Sequence, residues 1–223
     1  FAITDGKNYK ILPQAKDYKR IGEEDTGPNT GGMGAVSPVS FVDKKFMKKV
    51  EDQVIKRTVD GIQKENLDYK GFIFAGLMNV EGNPFVIEYN VRMGDPETQV
   101  VIPRIKNDLL EIINDCLENN SKEVTLDIDN RFVTTVILAA NGYPNNYNKG
   151  DKIENLSEEI NTKIFHAGTK SLDDKILSNG GRVLACTGFG KGINEALSNS
   201  YKIAKKISWN NKYFRNDIGK DLI

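Results

Sequence analysis

Three polar side chains stand at alternate positions where an apolar segment ends. The segment PFVIEYN runs into VRMGDPE, and this places Glu88, Asn90 and Arg92 on every second residue. Because side chains alternate between the two faces of a strand, Glu88 and Asn90 share one face, and Arg92 joins them if the strand continues. Carboxylate and amide oxygens suit Mg²⁺, which takes few protein ligands and completes its shell with water and phosphate oxygens. The pattern predicts a metal site, with Mn²⁺ as the alternative ion.

A solvated strand face is the other interpretation of the same spacing. Polar residues at alternate positions of a hairpin strand commonly face water and need no further role. The segment RMGDPE that follows changes abruptly from apolar to charged residues, which a solvated face does not require. The flanking residues therefore favour a binding site, while the spacing alone leaves both interpretations open.

A glycine-rich segment is the second candidate binding element. Residues 16–38, KDYKRIGEEDTGPNTGGMGAVSP, have few large apolar side chains and are predicted to form a long loop. Loops of this length in compact domains are commonly functional or disordered. The backbone N–H groups of Gly31, Gly32 and Gly34 are not covered by side chains and could surround a phosphate or a carboxylate. A flexible linker is the alternative.

Two hairpins are predicted in the first half of the chain. FAITDG and KNYKILPQA indicate two short strands around a turn at Asp5-Gly6. GFIFAGLMNV and PFVIEYN indicate two longer strands with Gly82 in the turn between them. The second hairpin is the element that must position Glu88 and Asn90.

Capping patterns predict where the helices of the first half begin. Ser40, with Asp43 three residues later, is predicted to begin a helix. Asp95 is predicted as an N-cap with Pro96 at the first helical position. Asn107 is predicted to begin another helix with an apolar stripe.

The second half of the chain is predicted to be rich in strands. The polar stretch ENNSKEV at 118–124 indicates a domain boundary. RFVTTVILAA, TKIFHAGT and GGRVLACTG indicate strands, and residues 193–207 indicate a final amphipathic helix. The lone histidine, His166, is predicted to be structural.

Composition limits the classes of partner. The chain has 223 residues, with 31 Lys plus Arg and 31 Asp plus Glu, so its net charge is zero. No basic excess indicates binding to nucleic acid or to an anionic membrane surface. No apolar run reaches membrane-spanning length, and no signal peptide is visible, so a cytoplasmic location is predicted. Cys116 and Cys186 lie in helical and strand patterns and are predicted to be buried and reduced.

Several long motifs in one order resemble a known family. RMGDPETQ, DTGPNTGGMGAVSP and GFIFAGLMNV in the first half, with VILAANGYPNNYNKGDKI, FHAGTK, NGGRVLACTGFG and YFRNDIG in the second, are similar to glycinamide ribonucleotide synthetases. These enzymes, also called phosphoribosylamine–glycine ligases, belong to the ATP-grasp superfamily. The resemblance extends from Phe1 to near Ile223.

The resemblance implies a fold and a domain order. It implies an α+β chain in which residues 1–122 form the second half of an ATP-grasp domain, a mainly antiparallel sheet with helices. Residues 123–223 would form a small β-rich C-terminal domain closed by one helix. The family's N-terminal domain, its lid with the phosphate-covering loop, and its adenine-contacting hinge are not found in the chain, so the N-terminal remainder of the same enzyme is the implied partner.

The resemblance also implies a reaction and residue roles. ATP, glycine and 5-phosphoribosylamine would give glycinamide ribonucleotide, ADP and phosphate, by way of glycyl phosphate, in purine biosynthesis. Glu88 and Asn90 would hold Mg²⁺ against the ATP phosphates, and Arg92 would face the phosphoryl group or the glycine carboxylate. The implied substrate-binding residues are Gly31, Gly32, Gly34, Arg92, Gly94, Asp95 and Pro96.

One departure and two alternatives accompany the resemblance. Many superfamily members carry an acidic metal ligand about twelve residues before the Glu-x-Asn pair, but FAGLM occupies that region here. Asp5 is a candidate replacement. A non-catalytic binding module that keeps the fold, or another ATP-grasp ligase joining a different carboxylate to an amine, are the alternative functions.

Overall fold

Runs of strands are separated by helices along the chain, which the computed structural model describes in full from Phe1 to Ile223. The strands are β1 (Ala2–Thr4), β2 (Tyr9–Ile11), β3 (Lys16–Asp17), β4 (Arg20–Gly22), β5 (Thr26–Asn29), β6 (Gly34–Ser37), β7 (Gly71–Val80), β8 (Asn83–Asn90), β9 (Phe132–Ala139), β10 (Thr162–His166), β11 (Thr169–Leu172), β12 (Lys175–Ser178) and β13 (Arg182–Gly190). The α-helices are α1 (Lys44–Val50), α2 (Lys56–Lys64), α3 (Thr98–Val101), α4 (Leu109–Leu117) and α5 (Ile193–Lys206). The mixture of antiparallel strands and helices confirms the predicted α+β class.

Two compact units are formed, and neither is continuous in sequence. The first comprises Phe1–Gln14, Val39–Gly94 and Arg104–Asp129, and the second comprises Ala15–Pro38, Asp95–Pro103 and Asn130–Ile223. The boundaries of these units differ from those of the predicted domains, 1–122 and 123–223. The two predicted domains stay a prediction.

The sheet of the first unit has four antiparallel strands in the order β2-β1-β7-β8. Both predicted hairpins are present. In the turn between β7 and β8, Glu81 and Gly82 have φ of 50° and 73°, so both central residues adopt the left-handed conformation that two-residue hairpin loops favour. A bulge shifts the pairing register between Gly76 and Leu77 of β7. On the Gly76 side of this bulge, Gly76 lies opposite Glu88.

A long helical segment packs against this sheet. Helix α1 passes through a π-helical turn at Glu51–Ile55 into α2, and Val50, Val54 and Ile55 form a buried cluster with Ala2. The predicted start at Ser40 is wrong. Asp43 is the N-cap, because its carboxylate accepts a hydrogen bond from the Phe46 N–H.

Other cap predictions differ from the structure in similar ways. Asp108, rather than Asn107, caps α4 by accepting from the Leu110 N–H. Asp95 is not an N-cap and Pro96 is not helical, since α3 begins at Thr98 with Glu97 as its N-cap residue. For α1 and α4 a neighbouring residue offers an equally good capping group, so sequence alone misplaces these two boundaries by a few residues, whereas Glu97 makes no side-chain cap hydrogen bond.

The sheet of the second unit has five antiparallel strands in the order β10-β13-β9-β6-β3. Helix α5 covers it, and the Ser200 and Thr134 hydroxyls hydrogen-bond at 2.9 Å between the helix and β9. The predicted loop at 16–38 is only partly a loop. It contributes four strands, and β6 is fully buried because Gly34–Ser37 pairs with Val133–Val136 of β9.

A buried arginine joins separate segments of the second unit. The Arg215 side chain is 1% exposed and makes a bidentate pair with the Asp217 carboxylate, at 2.8 Å and 2.7 Å. Its Nη1 also donates to Asp25 Oδ1 at 2.8 Å and to the Arg20 carbonyl at 3.0 Å. Burial opposes the charge, but the hydrogen bonds with Asp217 and Asp25 outweigh it and raise the pKa of Arg215. Arg215 therefore keeps the positive charge that its ion pair with Asp217 requires.

Removal of this arginine should destabilise the fold. We expect Arg215→Met to lower the free energy of unfolding by about 3 kcal/mol, because Asp217, whose side chain is only 16% exposed, would lose its ion-pair partner. Urea denaturation measures this difference. Arg57→Met, at an exposed position of α2, is the matched control and should change the free energy of unfolding by less than about 0.5 kcal/mol. Equal stability of the two variants would contradict the structural role of Arg215.

Both cysteines are free and buried, as predicted. Cys116 donates a hydrogen bond to the Thr4 carbonyl within the first unit, and Cys186 lies in the centre of β13. None of the helices combines the length and the apolar character needed to cross a bilayer.

Candidate functional site

Glu88 and Asn90 lie at the end of the last strand of the first unit's sheet. They are opposite Gly76 and Phe74 of β7, and the regular register between them places both side chains on one face. Glu88 is exposed, and Asn90 is partly buried. The side-chain amide nitrogen of Asn90 is buried and has no hydrogen-bond partner. No hydrogen bond from this nitrogen therefore holds the amide in place.

The donor set suits a hard divalent cation. A carboxylate and an amide oxygen on one strand face match the one or two protein ligands that Mg²⁺ usually takes. No group of three or more His, Cys, Asp and Glu residues has an arrangement that could hold a metal ion. Asp5 is occupied elsewhere, since its Oδ1 accepts hydrogen bonds from the backbone N–H groups of Lys7 and Asn8. Metal binding by Glu88 and Asn90 remains a prediction that this geometry allows.

Gly76 occupies the position twelve residues before Glu88. A Cβ atom at Gly76 would lie 3.0 Å from Glu88 Cγ, so the Glu88 side chain passes directly over the glycine. The region where many superfamily members carry an additional acid therefore holds a residue with no side chain. The Glu88 side chain occupies the space that a side chain at position 76 would need.

Arg92 does not continue the strand. β8 ends at Asn90, and Arg92 lies exposed in the bend that follows, where its Nη1 donates to the Met93 carbonyl at 3.0 Å. Arg92 is predicted to share the face of Glu88 and Asn90 only if the strand continues to it, and the strand does not. Gly94, at the end of the same bend, is buried. Roles for Arg92 and Gly94 in substrate binding stay predictions.

The glycine-rich segment uses its backbone groups within the second unit. The Gly31 N–H donates to Tyr143 Oη at 3.0 Å, and the Gly32 N–H donates to Thr30 Oγ1 at 2.9 Å. Gly34 lies in β6, where a Cβ would be 2.7 Å from the Thr135 carbonyl oxygen. The predicted contact of Gly31, Gly32 and Gly34 with substrate is therefore a proposal, and the structure gives each of them a packing role as well.

Arg182, which sequence reasoning missed, joins this segment to the Asp-Pro turn. Its Nη1 donates to the carbonyl oxygens of Gly31 at 2.9 Å and Asp95 at 2.7 Å, and its Nη2 pairs with Asp95 Oδ2 at 2.9 Å. The other carboxylate oxygen of Asp95 accepts from Gln99 Nε2 at 2.9 Å. The only feature of the sequence that could have indicated a role for Arg182 is its position in NGGRVLACTGFG, a motif that resembles the family.

Glu97 is a buried carboxyl group next to the same turn. Burial, reinforced by the negative charge of Asp17, raises the pKa of Glu97 from 4.5 to about 7. The nearby Lys19 opposes this effect but does not cancel it. Such a group is protonated over part of the neutral range, which makes it a hydrogen-bond donor as well as an acceptor.

Stability should therefore fall as the pH rises from 4.5 to about 7. Below pH 4.5 the Glu97 carboxyl is protonated in both the folded and the unfolded chain. Between pH 4.5 and about 7 it stays protonated in the folded chain but loses its proton in the unfolded chain. Relative to Glu97→Gln, the native chain should lose about 1–3 kcal/mol of unfolding free energy between pH 4.5 and pH 8. Urea denaturation of both proteins at the two pH values measures this. Parallel pH dependences would show that Glu97 has an ordinary pKa.

Two surface clefts of the first unit lie away from the predicted metal ligands. One, of about 220 Å³, is lined by Phe41, Lys49 and Gly82 among others, and another, of about 410 Å³, lies near Asp5 and Asn66. Glu88, Asn90 and Arg92 line neither cleft. Within the first unit Glu88 and Arg92 are exposed, and Asn90 is partly buried.

Comparison with solved structures places the fold in a known class. The chain superimposes on biotin carboxylase of Campylobacter jejuni with a TM-score of 0.69, covering 96% of this chain and 46% of that one. The identity is 12%, so this likeness concerns the fold alone. Residues 1–98 match the ATP-grasp (A) domain of phosphoribosylglycinamide synthetase, so the fold is of the ATP-grasp class.

Residues 133–221 match the C domain of phosphoribosylglycinamide synthetase. The chain therefore belongs to the phosphoribosylglycinamide synthetase family. This confirms the family resemblance seen in the motifs.

Individual relatives agree with this assignment. A phosphoribosylamine–glycine ligase of Vibrio parahaemolyticus is 44% identical over 220 residues, which is 97% of this chain and 51% of that protein. One from Caldanaerobacter subterraneus is 42% identical, over 98% of this chain and 52% of that protein. The crystal structure of the Thermotoga maritima ligase has a TM-score of 0.87 and 38% identity, covering 97% of this chain and 54% of that one. The chain spans about half the length of these relatives.

Proposed function

We propose that this chain is the metal-binding and C-terminal part of an ATP-dependent ligase that joins glycine to 5-phosphoribosylamine. The observation that carries the proposal is the pair Glu88 and Asn90 on one face at a strand end, within a chain that matches the ATP-grasp (A) and C domains of this family. The product would be glycinamide ribonucleotide, with ADP and phosphate released.

The chemistry proceeds in two transfers. A glycine carboxylate oxygen attacks the γ-phosphorus of ATP, the bond to the β-phosphate oxygen breaks, and ADP leaves with that electron pair. The amine nitrogen of phosphoribosylamine then attacks the acyl carbon of glycyl phosphate. The acyl C–O bond breaks, phosphate leaves, and the nitrogen loses a proton. Because the protein forms no covalent bond, its work is to position the substrates and stabilise charge.

Particular residues would divide this work. Glu88 and Asn90 would hold Mg²⁺, which neutralises charge on the phosphate oxygens when bound. The exposed Arg92 would present a planar, bidentate guanidinium to the phosphoryl group or to the glycine carboxylate. Asp95 and Pro96 would shape the turn beside the substrate, together with Gly31, Gly32 and Gly34. Gly94 would shape this turn together with Asp95 and Pro96.

Substrate-dependent ADP release tests the proposed function directly. In the full-length protein, ADP should form only when ATP, glycine, 5-phosphoribosylamine and Mg²⁺ are all present, and the product should be glycinamide ribonucleotide. Alanine, serine and β-alanine in place of glycine form the comparison panel. Turnover with another carboxylate but not with glycine would indicate a different ATP-grasp ligase. No ADP release with any member of the panel would favour a non-catalytic binding module.

A further inference from the structure

We propose that Arg182 is a positioning residue that holds the Asp-Pro turn and the glycine-rich segment in the geometry that the two non-nucleotide substrates require. The inference rests on the proposed function and adds a residue from strand β13 to the site. All the groups involved lie in the second unit. Arg182 would act through the two segments and would not itself touch a substrate.

The contacts of Arg182 are made to parts of the chain that are far apart in sequence. Nη1 donates to the carbonyl oxygens of Gly31, Gly32 and Asp95, at 2.9, 3.4 and 2.7 Å. Nη2 makes the charge-assisted bond with Asp95 Oδ2. The side chain is only 19% exposed, so water has limited access to these bonds. One guanidinium thus bridges two otherwise separate segments that the sequence predicts to bind substrate.

Close packing makes the arrangement specific for glycine at two positions. A Cβ at Gly31 would lie 2.8 Å from both the guanidinium carbon and Nη2 of Arg182. Gly32 has φ of +115°, and a Cβ there would lie 2.4 Å from Pro96 Cδ. A side chain at Gly31 would therefore displace the guanidinium, while one at Gly32 would displace the turn. Close packing therefore explains why Gly31 and Gly32 are glycines without any phosphate binding by their N–H groups.

The hydrogen-bond pattern points to a positioning role rather than a catalytic one. Three carbonyl oxygens hold Nη1 and one carboxylate oxygen holds Nη2, so the guanidinium is fixed between the two segments, and the Asp95 carboxylate has one oxygen on Arg182 and the other on Gln99. Asp95 is thereby fixed in orientation, with lone pairs left for a further donor such as a substrate amine. A lysine at 182 would keep the charge but could not reproduce a fork that reaches both segments.

Steady-state kinetics of Arg182→Lys in the full-length protein tests the inference. We expect KM for glycine or for 5-phosphoribosylamine to rise about 10-fold or more, because hydrogen bonds to a charged group are lost, while KM for Mg-ATP changes less than about 2-fold. Arg57→Lys, on an exposed helix face of the first unit, is the matched control and should leave all three constants unchanged. Gly31→Ala should reproduce the selective effect, since it displaces the same guanidinium without removing it.

The outcomes separate the inference from the proposed function. Wild-type constants in both Arg182→Lys and Gly31→Ala would overturn the positioning role while leaving the ligase assignment intact. An equal loss of kcat/KM for all three substrates, accompanied by a lower Tm, would also overturn it, because a general loss of folded protein would then explain the data. Absence of glycine-dependent ADP formation in the unmodified full-length protein would instead remove the proposed function.

Discussion

Replacing Glu88 with glutamine in the full-length protein should lower glycine-dependent ADP formation by roughly 100-fold or more, since stabilisation of phosphoryl charge by a bound metal is worth several kcal/mol. Glutamine keeps the shape of the side chain and its fit over Gly76, but it removes the negative charge that attracts the cation. Because Glu88 is exposed, the fold should not change. Asn90→Ala should have a loss of similar size, because it removes the second oxygen ligand.

The measurement is the rate of ADP release as a function of Mg²⁺ concentration. Both variants should need more Mg²⁺ for half-maximal activity, which a defect in folding would not produce. Glu81→Gln is the matched control, because Glu81 is exposed in the turn of the same hairpin and faces no predicted ligand. Near-normal turnover of Glu88→Gln or Asn90→Ala at saturating Mg²⁺ would show that the residue is not a metal ligand.

The isolated chain of residues 1–223 should bind Mg-ATP no tighter than about millimolar and should form no detectable ADP in a glycine-dependent manner. The predicted ligands that it offers to the nucleotide, Glu88 and Arg92, are exposed, and exposed charge contacts are worth less than about 1 kcal/mol each. Association costs ~4 kcal/mol or more in translational and rotational freedom, so little net affinity remains. The relatives are about twice as long as this chain, and the family resemblance implies that the lid and the adenine-binding hinge belong to the half that this chain does not match.

Isothermal titration of the isolated chain with Mg-ATP measures this affinity. The full-length protein, titrated under the same conditions, is the positive control and should bind more tightly. Its Glu88→Gln variant shows how much of the difference depends on the metal site. A micromolar Kd for the isolated chain would mean that these residues form a self-sufficient nucleotide-binding module, and the proposal of a partial catalytic unit would fail.

The sequence by itself determined the elements whose cause is local. Strand alternation places Glu88 and Asn90 on one face whatever the rest of the chain does, and Gly82 permits the left-handed turn that joins β7 to β8. The family was recognisable for the same reason, because its motifs are continuous stretches such as RMGDPETQ. Helix boundaries were less secure, since Ser40 and Asp43 both have capping side chains and only the actual hydrogen bond selects between them.

Only the tertiary structure decided which distant groups meet. Residues 34–37 looked like part of a loop because their glycine, alanine and serine have low strand propensity, but pairing with β9 makes them a buried strand. Arg182 lies 87 residues from Asp95 and 151 from Gly31, and no local pattern predicts such contacts. The raised pKa of Glu97 likewise follows from burial, which depends on how the segments of the second unit pack together. Local propensity acts between near neighbours in sequence, whereas burial and ion pairing depend on distances that are set only when the whole chain folds.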